Sequence, residues 1–363
     1  MKLKLDTITI LICFGFILIM NTGKINFKDV YASELKSITM VFTGDVMLGR
    51  LVNQTIRIKG FEYPWGDTLA IMKDANLSLI NLECVIAKDG KPWDKTPKVF
   101  FFRADPVAIN VLKVAGIDYV TLANNHTLDF QEAALLETLE RLDRNNIAHA
   151  GAGMDINEAS RPALLEAKGI KVGVVAFTNN EPDFSATESR PGTNYTPITT
   201  DGKIFNRVKS AIASARDTGA NIVVFSIHWG PNMRQFPPDY FKEFAHAVMD
   251  AGADIFHGHS AHIFQGIEIY KGKPIMYDTG DFIDDYYVGP EKNDQQLLYL
   301  ITTSSSGVER FELIPVLISG CQVNQATGEI FDEIFERIKM LSNAMGTEVF
   351  KKGNRLEIVL SID

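Results

Sequence analysis

A chain of 363 residues, 46% of them hydrophobic and with a net charge of −9, is long enough for one large core or two modest ones. The negative balance excludes a global basic field, so no nucleic-acid partner is expected, and an anionic ligand has to be held by local groups. Three cysteines exclude a disulfide scaffold.

Positive charge in "MKLKL" precedes an apolar run from Ile8 to Met20. The run is shorter than the ~20 residues that a membrane-spanning helix needs, and it fits the apolar region of a signal peptide. "VYAS" at 30–33 supports cleavage after Ala32; the intervening "NTGKINFKD" is long for a cleavage region, so a retained signal anchor is the alternative. Cys13 lacks a small residue before it, which argues against a lipoprotein. Residues 1–32 therefore read as signal peptide or signal anchor. On either reading the body is extracytoplasmic, secreted or held in the cell envelope.

From residue 37 onward apolar runs alternate with amphipathic stretches. "ITMVFTGD" (38–45), "LSLINLE" (77–83), "DYVTLANNH" (118–126), "KVGVVAFT" (171–178), "NIVVFSIHWG" (221–230) and "DIFHGH" (254–259) read as strands covered on both faces. Between them, "FQEAALLETLERLDRNN" puts Leu135, Leu136, Leu139 and Leu142 on one helical stripe. "FNRVKSAIASARDTGA" and "YFKEFAHAVMDAGA" are further helices that stop near glycine. This alternation predicts an α/β layered domain. Later, "QLLYLITTSSSGVERFELIPVLI" predicts a long hairpin, 328–346 an amphipathic helix and "NRLEIVLSI" a last strand. Polar loops at 179–202 and 284–296 are candidate lids. Cys84 ends an apolar run and reads as a core thiol; a Cys84–Cys321 disulfide is the alternative.

The predicted strands share one property. Near their C-terminal ends stand Asp45, Glu83, Asn124-Asn125-His126, His228 and the group His257, His259 and His262. In open α/β sheets ligands bind beyond the carboxyl ends of the strands. Each residue alone has a plainer reading: Asp45 as a helix cap, Asn125-His126 as a turn, His228 as a core histidine. Delivered together to one edge, they predict a shared metal site. Carboxylate, amide oxygen and imidazole without thiolate suit one or two divalent ions such as Mn, Fe or Zn. His257 points away from its neighbour and reads as support, His246 as solvated, and His149 as a weak candidate.

"FTGDVMLGR", "NLE", "LANNHTLDF", "GAGMDINEASRPALLE", "HWG" and "GHSAH" occur in that order over roughly residues 38–320 and resemble the CapA family, linked to poly-γ-glutamate capsule biosynthesis. That family is similar in turn to the calcineurin-like metallophosphatases. The resemblance implies a four-layer α-β-β-α sandwich over 38–320, with 321–363 as a C-terminal helix-strand extension. It implies Asp45 as the first-motif ligand, Glu83 as bridging acid, Asn125 as amide ligand, and His228, His259 and His262 as imidazole ligands. His126 becomes the proton donor, working with Asp45 at the reacting centre. Arg50 is a candidate anchor for an anionic substrate, with Arg103 and Arg234 as weaker ones. Met47 stands where the superfamily has a histidine, "GHSAH" is one residue longer than its GHxH, and Asp281 in "YDTGDF" is an added ligand or base.

Three functions follow as expectations. One is an envelope hydrolase acting on a polyglutamate or peptide-like amide or a phosphoester. Another is a non-catalytic accessory holding polyglutamate for a membrane synthesis or export complex. The third is a different metal-dependent reaction, such as proton abstraction beside a carbonyl.

Overall fold

Burial along the strands alternates between two different cores, and this places two sheets face to face. The computed structural model describes residues 36–360, so the apolar run at Ile8–Met20 and the cleavage point at Ala32 lie outside them. From Ser37 onward the described residues form one compact unit.

β1 (Ile38–Val46) leads into α1 (Arg50–Lys59) and α2 (Leu69–Asp74). β2 (Leu77–Leu82), the short pair β3 (Val85–Ile86) and β4 (Arg103–Ala104), α3 (Ile109–Ala115), β5 (Tyr119–Thr121), α4 (Gln131–Arg144) and β6 (Ala148–Ala150) follow. Next come β7 (Ala152–Gly153), α5 (Ile156–Ala159), β8 (Ala163–Ala167), β9 (Ile170–Thr178) and β10 (Gly192–Thr193). α6 (Gly202–Asp217), β11 (Ile222–His228), α7 (Asp239–Asp250), β12 (Ile255–His259) and the hairpin β13 (Ile267–Tyr270) and β14 (Lys273–Met276) complete the second half. The chain returns through β15 (Asp281–Ile283) to the hairpin β16 (Gln295–Ser304) and β17 (Gly307–Ser319). It closes with β18 (Gln322–Gln325), α8 (Gly328–Asn343), β19 (Val349–Lys352) and β20 (Arg355–Ile358).

The larger sheet has the order β19-β20-β17-β16-β1-β2-β5-β6, with β15 beside β1 and β18 beside β17. Its β1, β2, β5 and β6 run parallel, and the half beyond β16 is antiparallel. The smaller sheet has the order β13-β14-β12-β11-β9-β8, parallel in its centre and antiparallel at both edges. The period-two alternation of a strand assigns each face. Met40 and Phe42 of β1 join Val172, Val174, Val224 and Ile255 in a core between the sheets. Val41 and Ile80 face the other way and pack with Val52, Leu112, Leu135 and Leu139 of the helices α1, α3 and α4. Val223 and Phe225 of β11 likewise meet Phe205, Val208 and Phe244 of α6 and α7. Each fully buried Val, Leu, Ile or Phe contributes roughly 1.5–3 kcal/mol, so these shared faces, rather than local propensity, hold the helices in place.

The mixed α/β class agrees with the expectation. In three places the fold differs from it. Polar residues that read as meeting at one sheet edge come from the strand ends of both sheets. Leu136 of the α4 stripe is 37% exposed, while Leu135, Leu139 and Leu142 are buried. Residues 321–360 place β18, β19 and β20 in the larger sheet, and α8 sinks Ile334, Phe335, Ile338 and Leu341 into the core between the sheets.

Neither candidate lid hangs free. Phe184 of the 179–202 loop is fully buried, with its ring 4.7 Å from that of Trp93. Arg337 and Glu333 of α8 bond the segment 291–295. Cys84 is a buried free thiol, pushed up to about 12 by its burial, and Cys321 is also free, so the disulfide alternative is not realised.

Candidate metal centre

Asp45, the penultimate residue of β1, is fully buried. Its Oδ1 accepts the Asn81 side-chain amide at 2.7 Å and lies 3.9 Å from His228 Nδ1 and 3.8 Å from His259 Nδ1. Its Oδ2 has no hydrogen-bond partner and lies 3.7 Å from His262 Nδ1. β1 reaches this point because Gly44 packs against the turn after β14: a Cβ there would meet the Gly280 carbonyl oxygen at 2.0 Å. The Asp45 N–H donates to that same oxygen at 2.8 Å.

Glu83 follows β2. Its Oε2 accepts the Tyr286 hydroxyl at 3.0 Å, and its Oε1 is buried without a partner, 3.9 Å from both His126 Nε2 and His228 Nε2. His228 and His259, aligned on the parallel strands β11 and β12, face each other through Nδ1 atoms 2.9 Å apart. Ser226 Oγ lies 3.0 Å from His259 Nε2 and orients that ring.

The turn after β12 accommodates the extra residue of "GHSAH". Ser260 (φ 119°) and His262 (φ 61°) both take positive φ, rare for side chains other than glycine. Asp278 steadies the turn by accepting the N–H groups of Ala261 and Gly280 at 2.8 and 2.9 Å. His262 is thereby turned back, with Nδ1 2.8 Å from Asp281 Oδ1.

Two groups of donors result, Asp45–His228–His259 and Asp45–Glu83–His262–Asp281. Asp45 is common to both; Glu83, the bridging acid implied by resemblance, belongs to the second and lies near His228 of the first. Met47 cannot complete either group. It is buried in the core on the helical side of the larger sheet, and its sulfur accepts the Gly49 N–H at 3.1 Å.

Asn125 lines the adjoining pocket, with its amide oxygen buried and unpartnered. His126 stacks on Phe102, with ring centroids 3.8 Å apart, and its Nδ1 lies 2.6 Å from Asp129 Oδ2. The Lys98 ammonium stands 3.3 Å from the other Asp129 oxygen and donates to the Asn125 carbonyl at 2.7 Å. Asn125, His126 and Lys98 border a cavity of about 460 Å³ whose wall also holds Arg50, Phe102, His262, Tyr286 and Met233.

Arg50, at positive φ (50°), lies 3.4 Å from Asp285 and within 6 Å of the Phe102 and Tyr286 ring centroids at 5.7 and 5.9 Å. Arg103 is elsewhere, with its guanidinium 4.2 Å from the Phe130 ring centroid and bonded to the Gly90 carbonyl. Arg234 contributes its carbonyl to Gln265. His257 is within bonding distance of the Thr43 carbonyl, 3.0 Å away, and His149 lies near Asp143. His246, expected as solvated, is paired with Glu268 at 2.8 Å and stacked on Tyr270.

The electrostatics describe a site that is costly to leave empty of positive charge. Burial, reinforced by Glu83, holds Asp45 well above the usual carboxylate range. Burial pushes Asp281 up to about 6 and Asp278 up to about 7. Burial keeps His228 and His259 far below the ordinary histidine value, and so neutral donors of lone pairs. For His262 burial acts in the same direction, but the Asp281 carboxylate overcomes it and raises the ring. Asp45 Oδ2, Glu83 Oε1, Asn125 Oδ1, His228 Nε2 and Asp281 Oδ2 are all buried without partners. Native interiors rarely leave such atoms unsatisfied. A divalent cation fits this donor set of oxygen and imidazole nitrogen.

Sequence reasoning did not find Asn81, Lys98, Asp129, Asp278 or Tyr286. Asp129 stood in "NNHTLD", three residues after His126, and that spacing was the available signal. Lys98 and Tyr286 sit on irregular loops, where no periodicity points inward.

The family model described as bacterial capsule synthesis protein PGA_cap matches residues 39–286, the span that carries all of these donors. A Mycobacterium tuberculosis protein named "Probable polyglutamine synthesis accessory protein" is 30% identical over 89% of this chain and 96% of its own length. The capsule biosynthesis protein CapA of Bacillus anthracis is 24% identical over 90% of this chain and 79% of its own. The PGA biosynthesis protein CapA of Bacillus subtilis is 27% identical over 85% and 78%.

Proposed function

The chain belongs to the bacterial capsule synthesis protein PGA_cap family, and from that premise we propose that it serves poly-γ-glutamate synthesis, export or anchoring outside the cytoplasm. In this reading a metal-dependent, hydrolase-like site acts on a polyglutamate or peptide-like amide. The observation that carries it is the cluster of buried, unpartnered oxygens and nitrogens around Asp45, which adjoins through His262 a cavity also lined by Asn125, His126 and Arg50. The packing order of helices, sheet, sheet and helices supports a sandwich of the calcineurin-like metallophosphatase type. The positively charged, apolar N-terminal segment supports export, as signal peptide or anchor.

Asp45, Glu83, Asp281, His228, His259 and His262, with Asn125 beside them, would hold one or two divalent ions. Such an ion supplies Lewis-acid polarisation of a substrate carbonyl or phosphoryl oxygen. The chain's own residues do the rest. Asp129 bonds His126 through Nδ1 and leaves Nε2 directed at Glu83 and the cavity, poised to deliver a proton to a leaving amine. Arg50, braced by Asp285 and flat aromatic neighbours, is a fork for a substrate carboxylate.

The buried Met47 favours a second reading, a non-catalytic accessory that binds polyglutamate for a membrane synthesis machinery. Incubation of metal-loaded protein with γ-linked glutamate oligomers, followed by product analysis, separates the two. Shortened products lost in His126→Ala support the hydrolase; binding without turnover supports the accessory. Absence of any bound divalent ion by elemental analysis overturns the metal-dependent reading.

A further inference from the structure

Tyr286 was no part of the metal-ligand pattern in the sequence, yet its side chain reaches into the centre. It follows β15 on the segment that leads to β16. Its hydroxyl donates to Glu83 Oε2 at 3.0 Å. Its ring meets His262 edge-on at 5.1 Å and lies 5.9 Å from Phe102. The segment that carries it is fixed on both sides. Asp284 Oδ1 accepts the Tyr286 N–H at 2.8 Å, and Asp285 accepts the Leu51 N–H at 2.7 Å. Further on, Arg337 of α8 donates to the carbonyls of Glu291 and Gln295 at 2.9 and 2.6 Å, and Glu333 accepts from Lys292 and Gln295.

We propose that Tyr286 is a positioning residue for the metal centre: its hydroxyl holds Glu83 so that Oε1, the buried oxygen without a partner, is the one presented to a divalent cation. The inference rests on the metal-binding reading above and deepens it. A carboxylate free to rotate offers either oxygen in many orientations. One fixed by a hydrogen bond through Oε2 presents Oε1 in one orientation, so less ordering is left to the binding step. Outer hydrogen bonds of this kind typically change metal affinity by ~10–100-fold. The same contacts give the C-terminal helix a task, since α8 clamps the far end of the segment that presents the hydroxyl.

The test is Mn²⁺ binding to the full chain after chelation, by calorimetry and by the Mn²⁺ paramagnetic resonance signal. It compares wild type, Tyr286→Phe and Tyr287→Phe. Tyr286→Phe keeps the ring contacts and loses only the hydroxyl, while Tyr287 is 90% exposed beside it. The expected result is Mn²⁺ affinity lowered about tenfold with an altered resonance signal in Tyr286→Phe, and wild-type behaviour in Tyr287→Phe. A Tyr286→Phe protein that binds Mn²⁺ as tightly as wild type, with the same signal, overturns this inference alone. A wild type that takes up no Mn²⁺, Fe²⁺ or Zn²⁺ overturns the metal reading and this inference with it.

Discussion

Asp129 sets the orientation of His126: its Oδ2 lies 2.6 Å from His126 Nδ1 and accepts the Phe102 N–H at 2.6 Å. The Lys98 ammonium, 7% exposed, stands at 3.3 Å from the second oxygen. The imidazole is therefore fixed on one edge and free on the other, as a proton donor must be. Asp129→Asn keeps the shape and removes the carboxylate that orients the ring. Its turnover of a γ-linked glutamate oligomer is expected to fall by ~10²–10⁴-fold, with metal content by elemental analysis unchanged. Equal turnover in the variant would sink the proton-donor role.

Arg50 makes a separable prediction because it borders the cavity without belonging to either donor group. A charge-assisted hydrogen bond to a substrate carboxylate contributes ~1.5–3 kcal/mol. Arg50→Ala should accordingly raise KM for an anionic oligomer by about tenfold or more, with kcat and Mn²⁺ affinity near wild type. Arg50→Lys should recover little, since an ammonium lacks the planar fork. Steady-state kinetics on anionic and amidated oligomers check this; equal effects on both would assign Arg50 to the fold instead.

Much of the arrangement was legible in the sequence because strand ends are read by chemistry and period together. Asp45, Glu83, His228 and His259 each close an apolar run, and the fold gathers them. The residues that sequence missed act through contacts made far along the chain: Asn81 bonds Asp45, and Tyr286 bonds Glu83 across 203 positions. Asn81 lies inside a buried strand, where a polar residue gave a signal that the apolar neighbours masked. Arg103 misled in the opposite way. Its charge suggested an anion anchor, but a local aromatic, Phe130, draws the guanidinium aside.

Gly44 tests whether the site depends on close approach of backbone. A methyl group there would meet Gly280 O at 2.0 Å and Thr279 O at 2.7 Å, so β1 and the 278–281 turn must separate. Gly44→Ala is expected to cost ~1–3 kcal/mol or more and to weaken Mn²⁺ binding, since Asp45 and Asp281 are paired across that contact. Gly202→Ala is the control, because open space surrounds it at the first turn of α6. Thermal melts should show a drop of several degrees for the first and none for the second.

The dependence of stability on metal and pH follows from the direction of the shifts. Asp45 is raised by burial and Glu83, Asp278 to about 7 by burial, and His262 by Asp281 against its own burial. Between pH 6.5 and 8 the unfolded chain keeps its carboxylates ionised, while its histidines pass from about half protonated to largely neutral. In that window the metal-free folded protein binds more protons than the unfolded chain, so unfolding free energy falls as pH rises. His228 and His259, held far below 6.5, are neutral in the folded state throughout; they oppose this trend near pH 6.5, where unfolded imidazoles are about half protonated, and fade from it toward pH 8. A bound cation replaces those protons. The melting temperature in chelator should therefore decline from pH 6.5 to 8, while in saturating Mn²⁺ it should stay nearly level. Ligand at ~100 times its Kd stabilises by about 2.7 kcal/mol, and because fewer protons remain to be displaced as pH rises, the gap between the two curves should widen toward pH 8. Fluorimetric melts across that range measure it directly, and a gap that narrows with rising pH would contradict carboxylates that exchange protons for a metal ion.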